Sequence, residues 1–410
     1  MKILILPGYF EPEQMSSSHL NHDRFQAFAD SDINMLVCTP MPTRGISQEI
    51  RNEYKKRKHE FLYDGKLEVY RFSMYREGRN PILRAFRYFL CIFRQFVFGL
   101  TAKDIDLMYI SSTPPIQGIM GGLLKKIKGF KYVYILQDIF PDSLVGTGLA
   151  KKGGLVWKIG RMIENFTYRN ADKIIVISED FKRNIMAKGV PEEKIVVVYN
   201  WVDEKKVVPI EKVNNPLFNE LDLDPNKFNI VYAGNLSNAQ NVDIILNSAE
   251  SLINEKNIQF VIFGKGVLEE EIKNKIKNKD LTNVKMLPLQ PYERVSLVYS
   301  LGDVCVVSCK KGLGGAAMPS KTWSIMSCGR AVLANFDKGE LKEIVENNKC
   351  GLFTEAGNQT AFNEAILYLY NHPQECEDYG KNARQFILNN LTKEVGTQKY
   401  VDVIKSFEKK

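Results

Sequence analysis

A glycine-rich segment in the second half of the chain combines residue types that bind phosphate. Gly312, Gly314 and Gly315 separate the β-branched run 304–307 from a helical pattern that begins near Lys321. Backbone N–H groups in such a loop, together with the partial positive charge at a helix N-terminus, favour an anion. The lysine can neutralise a diphosphate directly. The segment therefore predicts a site for a nucleotide-activated group.

Other loops in this half contain residues suited to the same ligand. Gly234 and Asn235 follow the apolar run 229–233, and Gly264 follows the next such run. Because the carboxyl ends of parallel strands share one edge of a sheet, these loops are expected to converge with the glycine-rich segment on one diphosphate. The segment 287–292 at the end of a third run, which includes Leu289, could flank a nucleobase through backbone groups and the side chain of Tyr292.

The loop after the first predicted strand contains a glycine followed by a run of hydroxyl side chains. Its candidate residues are Gly8, Ser16, Ser17, Ser18 and His19. They favour a cradle for an anion or a sugar; the alternative is an ordinary loop in which Ser18 caps the next helix. The chain has no G-x-G-x-x-G fingerprint, which argues against a dehydrogenase.

A carboxylate follows another strand of the first half. Asp138 lies two residues after the run 132–136, where its side chain could hydrogen-bond a sugar hydroxyl or orient an acceptor. For Asp142, four positions later, a cap on the next helix is the favoured interpretation. The sequence shows no Walker loop, Ser–His–Asp set or paired-glutamate hydrolase signature.

The elements that must position these residues alternate along the whole chain. Seven apolar runs and then six more are separated by helical patterns, which predicts parallel sheets covered on both faces. We therefore expect an α/β protein with two doubly wound, Rossmann-like domains facing each other across a cleft. The predicted domains are 1–205, joined by a returning C-terminal helix at about 390–410, and 206–389. The proline-containing stretch 201–227 is the predicted linker.

Composition narrows the class of protein and of partner. The 410 residues carry a net charge of +8, which favours anionic partners. Nucleic acid is not expected, because no recognition module is present. The pair His19-x-x-His22 lacks a second ligand cluster, so no metal site is expected. Seven cysteines without a C-x-x-C pair, and an N-terminus unlike a secretory signal, predict a cytoplasmic protein.

The segment 81–101 departs from the alternating pattern. Phe86, Phe89 and Phe93 recur at helical spacing, and arginines fall toward another face. The segment is short for a bilayer span, which needs about 20 apolar residues. Two interpretations remain: an amphipathic helix in a membrane interface, or a core helix with solvated arginines.

Eight motifs follow one another over nearly the whole chain: LQDIFPDS, ADKIIVIS, YNWVD, YAGNLSNAQNVDIIL, FGKG, NVKMLPLQP, MPSKTWSIMSCGRAVLA and CGLF. Their order and spacing resemble the retaining GT-B glycosyltransferases of family 4, in the branch that assembles bacterial O-antigen and capsule sugars.

The resemblance implies transfer of a sugar, hexosyl or N-acetylhexosaminyl, with retained anomeric configuration and with no metal or cofactor. The donor would be a nucleotide-sugar, usually UDP-linked, and the acceptor a polyprenyl-diphosphate-linked glycan at the inner face of the cell membrane. Asp138 and Lys321 are the candidate catalytic residues. The further candidates for donor binding are Gly8, Gly234, Asn235, Gly264, Leu289, Gly314, Gly315, Ser320, Ser324 and Glu340. Those for acceptor binding are Ser16, Ser17, Ser18 and His19.

The chain departs from the family pattern at the donor contacts. Asn235 and Gln240 stand where the family has an Arg and a Lys, and Ala316 and Ser324 stand where it has two glutamates. Lys321 is expected to compensate for the lost positive charge. Glu340 is a candidate ribose partner or, alternatively, a solvated residue in the first turn of a helix. A nucleotide-sugar 2-epimerase and a non-catalytic nucleotide-sugar-binding partner are the alternative functions.

Overall fold

The computed structural model describes residues 1–13, 18–76, 78, 80–146, 148, 150–316 and 318–408. The chain forms two compact units. The first comprises Met1–Tyr199 and Glu394–Lys410, and the second comprises Asn200–Lys393. The domain boundary predicted after residue 205 therefore lies a few residues beyond the boundary between the units.

The first unit is built on an eight-stranded sheet in the order β3-β4-β2-β1-β5-β6-β7-β8. All neighbouring strands are parallel except β3 and β4, which form an antiparallel hairpin. The sheet grows outward in both directions from its first strand, which confirms the doubly wound expectation. The strands are β1 (Lys2–Ile5), β2 (Asn34–Pro40), β3 (His59–Leu62), β4 (Leu67–Phe72), β5 (Leu107–Ser111), β6 (Lys131–Leu136), β7 (Lys173–Val176) and β8 (Ile195–Val197).

Helices connect these strands and cover the sheet. They are α1 (Ser18–Asp30), α2 (Gln48–Tyr54), α3 (Pro81–Thr101), α4 (Gln117–Lys128), α5 (Asp142–Gly146), α6 (Leu155–Asn170) and α7 (Glu179–Ala187). The side chains of β5 through β7 are almost all buried. Strands covered on both faces read as continuous apolar runs, which is why the sequence predicts them well.

The second unit contains a six-stranded sheet in the order β11-β10-β9-β12-β13-β14, parallel throughout. This is the doubly wound order with its switch point between β9 and β12. All six strands correspond to predicted runs. They are β9 (Phe228–Asn235), β10 (Ile258–Lys265), β11 (Val284–Pro288), β12 (Val304–Ser308), β13 (Ala331–Phe336) and β14 (Gly351–Glu355).

The helices of the second unit pack on both sides of its sheet. They are α8 (Leu217–Glu220), α9 (Asp243–Ser251), α10 (Glu269–Asn278), α11 (Val295–Tyr299), α12 (Lys321–Ser327), α13 (Glu340–Asn347), α14 (Gln359–Asn371) and α15 (Pro373–Asn390). The last helix, α16 (Lys393–Lys405), places Tyr400 in the first unit, where the Arg24 guanidinium lies 4.9 Å from the centre of its ring.

The proline-containing stretch 201–227, the predicted linker, begins at the boundary between the two units and packs in the second one. Val207, Leu217 and Phe218 are buried in the second unit. The backbone N–H of Val208 donates to the hydroxyl of Ser296 at 3.0 Å. Buried apolar residues between the prolines let this segment pack although most of it lies outside helices and strands.

Helix α3 has its polar side buried and its apolar side exposed. Arg87 and Gln95 are 1% and 0% exposed, whereas Phe86, Phe89 and Phe93 are each more than half exposed. Gln95 donates from Nε2 to the carbonyl oxygen of Pro7, just after β1, at 2.8 Å and to that of Cys38, in β2, at 2.9 Å. A core helix with solvated arginines would bury the phenylalanines and expose Arg87. The structure shows the opposite for these residues, so that interpretation is wrong for them. Within the described ranges, no helix is long and apolar enough to cross a membrane.

Candidate functional site

The site in the second unit lies at the switch point of its sheet. Strands β9 and β12 are neighbours, and the connections that follow them lead to helices on opposite faces. A crevice forms at the carboxyl ends of two such strands, and this is where ligands bind in open α/β sheets. Gly234 and Asn235 are the last two residues of β9, and the loop after β12 leads through the glycine-rich segment to Lys321.

Lys321 is the first residue of α12, and its ammonium is turned inward. The residue is partly exposed as a whole, but its Nζ is buried and has no hydrogen-bond partner among the described residues. The Nζ lies 4.2 Å from the centre of the Tyr232 ring. A Cβ atom placed on Gly234 would stand 2.6 Å from the Nζ. The structure thus brings Lys321 and Gly234 together, and a side chain at residue 234 would displace the ammonium.

This environment is costly for a positive charge. Burial lowers the pKa of Lys321 to about 7. The face of an aromatic ring stabilises a cation by about 0.5–2 kcal/mol, which is less than an uncompensated buried charge costs. The hydroxyl of Tyr232 donates to the carbonyl oxygen of Asn235 at 2.8 Å and so positions the ring. An anion bound beside Lys321 would supply the partner that the ammonium lacks.

A carboxylate holds the glycine-rich loop. Asp337, just after β13, accepts hydrogen bonds from the N–H of Gly312 at 2.8 and 3.0 Å and from the N–H of Gly314 at 2.8 Å. A Cβ atom at Gly314 would stand 2.8 Å from the Asp337 Cβ. The N–H of Gly314 is therefore not free for a diphosphate in this structure. Gly315 has open space around it, with no heavy atom within 4 Å of a Cβ placed there.

The other donor-site candidates lie on neighbouring elements of the second unit. Gly264 pairs in register with Gly234 on the neighbouring strand, and a Cβ there would meet the Leu236 side chain at 2.5 Å. Ser320 directly precedes α12, and Ser324 lies one turn into it. Leu289 follows β11 with 48% of its surface exposed.

Glu340 begins α13, in the connection after β13. Its side chain is only 3% exposed, so the interpretation as a solvated residue is wrong. A carboxylate at the first turn of a helix is favoured by the helix dipole. Its role toward a ribose stays a prediction.

The first unit has its own switch point, between β1 and β5, and Gly8 lies there. A Cβ at Gly8 would stand 2.9 Å from the Pro114 side chain, so close packing requires glycine. Ser18 begins α1, and its hydroxyl donates to the carbonyl oxygen of Glu13 at 3.2 Å. His19 follows it on the same helix. Ser16 and Ser17, predicted to bind an acceptor, lie outside the described residues.

Glu13 is a buried carboxylate that sequence reasoning missed. It is 3% exposed and accepts hydrogen bonds from the backbone N–H groups of Phe10, Thr43 and Arg44. Burial raises the pKa of Glu13, and these hydrogen bonds oppose the rise. The residue joins the loop after β1 to the loop after β2. The only local signal is the spacing of three residues between Phe10 and Glu13, which is typical of a turn closed by a side-chain hydrogen bond.

Asp138 follows β6 in the first unit, as predicted. Desolvation raises the pKa of its carboxyl group, against hydrogen bonds from the Ser143 hydroxyl and the Ile139 N–H. The residue lines a small pocket together with Tyr134, Glu164 and other side chains of the first unit. Asp138 and Lys321 belong to different units. Among the described residues, no group of three or more His, Cys, Asp or Glu side chains is placed to hold a metal ion.

An open parallel sheet with a basic, glycine-containing loop at its switch point defines the class of nucleotide-binding α/β proteins. Residues 25–201 match the glycosyl transferase 4-like domain, and residues 214–386 match the glycosyl transferases group 1 family. The chain belongs to the glycosyltransferases of GT-B type.

Curated relatives and solved structures agree with this assignment. The chain is 26% identical to the probable glycosyltransferase WbjE of Pseudomonas aeruginosa over 68% of this chain and 70% of that protein. It is 30% identical to the putative colanic acid biosynthesis glycosyl transferase WcaI of Escherichia coli over 55% of this chain and 56% of that protein.

Two solved structures share the fold over almost the whole chain. Sucrose-phosphate synthase from Thermosynechococcus elongatus superposes with a TM-score of 0.78 at 15% identity, covering 99% of this chain and 98% of that one. HepE from Anabaena, solved in complex with UDP, superposes with a TM-score of 0.73 at 18% identity, covering 99% of this chain and 100% of that one. These likenesses confirm the predicted fold.

Proposed function

We propose that this protein is a retaining glycosyltransferase. It moves a hexosyl or N-acetylhexosaminyl group from a UDP-sugar to a polyprenyl-diphosphate-linked glycan during the synthesis of a cell-surface polysaccharide such as O-antigen or capsule. The nucleotide-sugar is a substrate, and no metal or other cofactor takes part. The donor binds in the second unit, and the acceptor binds in the first.

The observation that carries this proposal is the unpartnered ammonium of Lys321. It lies at the switch point where open α/β sheets bind nucleotides, and its burial strengthens any interaction with a diphosphate. Stabilising the negative charge of the leaving group is usually the largest catalytic contribution of a protein. Two further observations support UDP as the nucleotide. HepE, of the same fold, was solved with UDP and with UDP-glucose, and the structure of TarM from S. aureus also contains UDP.

Polysaccharide synthesis as the setting is supported by the relatives. WcaI is named for colanic acid biosynthesis, and WaaG, which shares the fold with a TM-score of 0.67, is described as involved in lipopolysaccharide biosynthesis.

Peripheral binding to the inner face of the cell membrane is supported by the exposed side of α3 and by its neighbours. Helix α4 packs against both α3 and α6. It exposes Leu123 and Ile127, and α6 exposes Leu155, Val156, Ile159 and Met162. Helices α3 and α4 contain no acidic residue, and the single acidic residue of α6, Glu164, is buried and paired with Lys188 at 2.8 Å. An apolar surface on helices that carry lysines and arginines but no exposed carboxylate suits an anionic bilayer.

The test combines purified protein with a panel of UDP-sugars and a polyprenyl-diphosphate-linked acceptor. The expected result is a glycosylated lipid with retained anomeric configuration, produced by the wild type and by Lys311→Ala but not by Lys321→Ala. Lys311 is an exposed lysine of the same loop and serves as the matched control. Isomerised sugar without transfer would indicate a 2-epimerase, and donor binding without turnover would indicate a non-catalytic binding protein.

A further inference from the structure

Four arginines of the first unit lie around one edge of its sheet, and the site described above does not use them. We call Arg44, Arg51, Arg76 and Arg87 the arginine cluster. Arg44 and Arg76 follow β2 and β4, which are parallel neighbours and therefore end at the same edge. Arg51 lies on α2, and Arg87 lies one to two turns into α3.

Arg87 is the buried member of the cluster. It is 1% exposed, its Nε donates to the carbonyl oxygen of Tyr75 at 3.3 Å, and its Nη2 donates to the Thr43 hydroxyl at 3.2 Å. Its Nη1 is buried and has no hydrogen-bond partner among the described residues. A guanidinium donor left without an acceptor inside a protein marks a place where a bound group can complete the hydrogen bonding.

The other arginines converge on the same place. Arg51 donates from Nη2 to the carbonyl oxygen of Met74 at 3.3 Å, so Arg51 and Arg87 bind successive carbonyl groups of one segment. The guanidinium groups of Arg44 and Arg87 lie 5.5 and 6.0 Å from the centre of the same ring, that of Tyr9. Tyr9 directly follows Gly8, in the loop after β1.

The positive charge of the four arginines is only partly balanced by the carboxylates of the described residues. Glu13 is the carboxylate that faces Arg51 and Arg87, but its oxygens accept hydrogen bonds from backbone N–H groups. Over the part of the chain that the structure describes, no carboxylate forms an ion pair with a member of the cluster. Burial and the neighbouring charges of Arg76 and Arg87 lower the pKa of Arg51. Like charges held together in this way favour the binding of a polyanion.

An apolar surface begins next to the cluster. Leu83, Phe86 and Phe89 are more than half exposed on α3, the helix that carries Arg87. The carbonyl oxygen of Leu83 accepts a hydrogen bond at 2.7 Å from the hydroxyl of Tyr75, whose own carbonyl binds Arg87. A ligand that fits both features has a multiply charged phosphate head and a hydrocarbon chain. Arginine side chains bind such heads by paired hydrogen bonds.

We propose that the arginine cluster binds the diphosphate of a lipid-linked acceptor, whose hydrocarbon chain lies along the exposed side of α3. This assignment rests on the proposed function for the identity of the acceptor, and it locates the acceptor head group at the edge of β2 and β4.

The test uses farnesyl diphosphate as the probe, and binding is measured by calorimetry. Arg51→Gln and the double variant Arg44→Gln/Arg76→Gln are compared with the wild type; Arg44 and Arg76 are exposed, so the double variant should fold. Arg57→Gln is the matched control, because Arg57 lies just after α2 and pairs with Glu53. Each cluster variant is expected to weaken binding roughly tenfold or more, and the control should bind like the wild type.

Three further ligands distinguish a lipid-linked diphosphate from free diphosphate and from phospholipid head groups. They are farnesol, inorganic diphosphate and vesicles that contain phosphatidylglycerol. The proposal predicts that the wild type prefers farnesyl diphosphate to farnesol and to inorganic diphosphate, and that the cluster variants bind the vesicles as the wild type does. Equal affinity of wild type and variants for farnesyl diphosphate would overturn it. An equal loss of vesicle binding would assign the cluster to phospholipid head groups instead. UDP affinity, measured on the same samples, tests the proposed function separately.

Discussion

The Nζ of Lys321 lies over the ring of Tyr232, 4.2 Å from its centre, with no hydrogen-bond acceptor supplied by the described part of the chain. An aromatic face can hold an ammonium in a buried position without neutralising it. The arrangement keeps a positive charge available at the switch point of the second sheet.

Replacing Tyr232 separates the contribution of the ring from that of its hydroxyl. Tyr232→Phe keeps the ring and loses the hydrogen bond to the Asn235 carbonyl, so we expect the free energy of unfolding to fall by about 0.5–1.5 kcal/mol. Tyr232→Leu loses the ring as well, and the pKa of Lys321 should fall further because the cation loses its partner. NMR titration of the Lys321 side chain would measure this. An unchanged pKa in Tyr232→Leu would show that the ring does not stabilise the cation.

The lowered pKa of Lys321 links the binding of a nucleotide diphosphate to the uptake of a proton. Since the pKa is about 7 without ligand, the amine is mostly neutral at pH 8, and a bound anion raises the pKa again. Calorimetry of UDP binding at pH 8, in buffers with different ionisation enthalpies, should show net proton uptake that disappears in Lys321→Ala. UDP affinity should also fall as the pH rises above 7. Proton uptake that persists in the variant would assign it to another group.

The same lowered pKa affects stability in the absence of ligand. Between the pKa of Lys321 in the folded chain, about 7, and its ordinary value of 10.5, the unfolded chain binds more protons than the folded one. This residue therefore makes the protein more stable as the pH rises through that window, with a slope of at most about 1.4 kcal/mol per pH unit. We expect the free energy of unfolding to rise less between pH 7 and pH 9 in Lys321→Met than in the wild type, as measured by denaturation at both pH values. A parallel change in both would contradict the burial of the ammonium.

Asp337 should prove to be a positioning residue for the glycine-rich loop. Asp337→Ala leaves the N–H groups of Gly312 and Gly314 without their acceptor, so the unfolding free energy should fall by about 1–3 kcal/mol. UDP affinity should also fall, because the loop must then be ordered on binding. Tighter UDP binding by the variant would show instead that the carboxylate competes with the diphosphate for these groups.

The exposed phenylalanines of α3 should carry membrane binding. Phe89→Ser/Phe93→Ser should reduce sedimentation with anionic liposomes strongly while leaving the melting temperature nearly unchanged, because both side chains are more than half exposed. Phe61→Ser is the matched control, since Phe61 is 60% exposed on the edge strand β3. Liposome binding that the double variant retains would exclude this surface.

Most of the architecture could be predicted, because buried parallel strands read as continuous apolar runs. Strand β3 was missed: it is a four-residue edge strand that contains His59 and Glu60 and lacks such a run. Helix α3 was predicted as a helix, but its pattern could not show which side faces the sheet. Buried Arg87 and Gln95 each donate to carbonyl groups of other segments, and those contacts are not local in sequence.

The candidate site was predictable only in part. The position of Lys321 at a helix start followed from the loop before it, whereas its burial depends on Tyr232, which is distant in the sequence. The hydrogen bonds of Asp337 to Gly312 and Gly314 likewise join two separate loops. Glu13 and the arginine cluster form through contacts between three or four segments, so no spacing in the chain could reveal them.

The central claim is that Lys321 binds the donor diphosphate, and the most direct measurement compares UDP with uridine. Both ligands share the nucleoside, so the ratio of their dissociation constants isolates the contribution of the diphosphate. Wild type and Lys311→Ala should both prefer UDP strongly, and Lys321→Ala should lose at least about tenfold of that preference while its affinity for uridine stays the same. An unchanged ratio in Lys321→Ala would contradict the account.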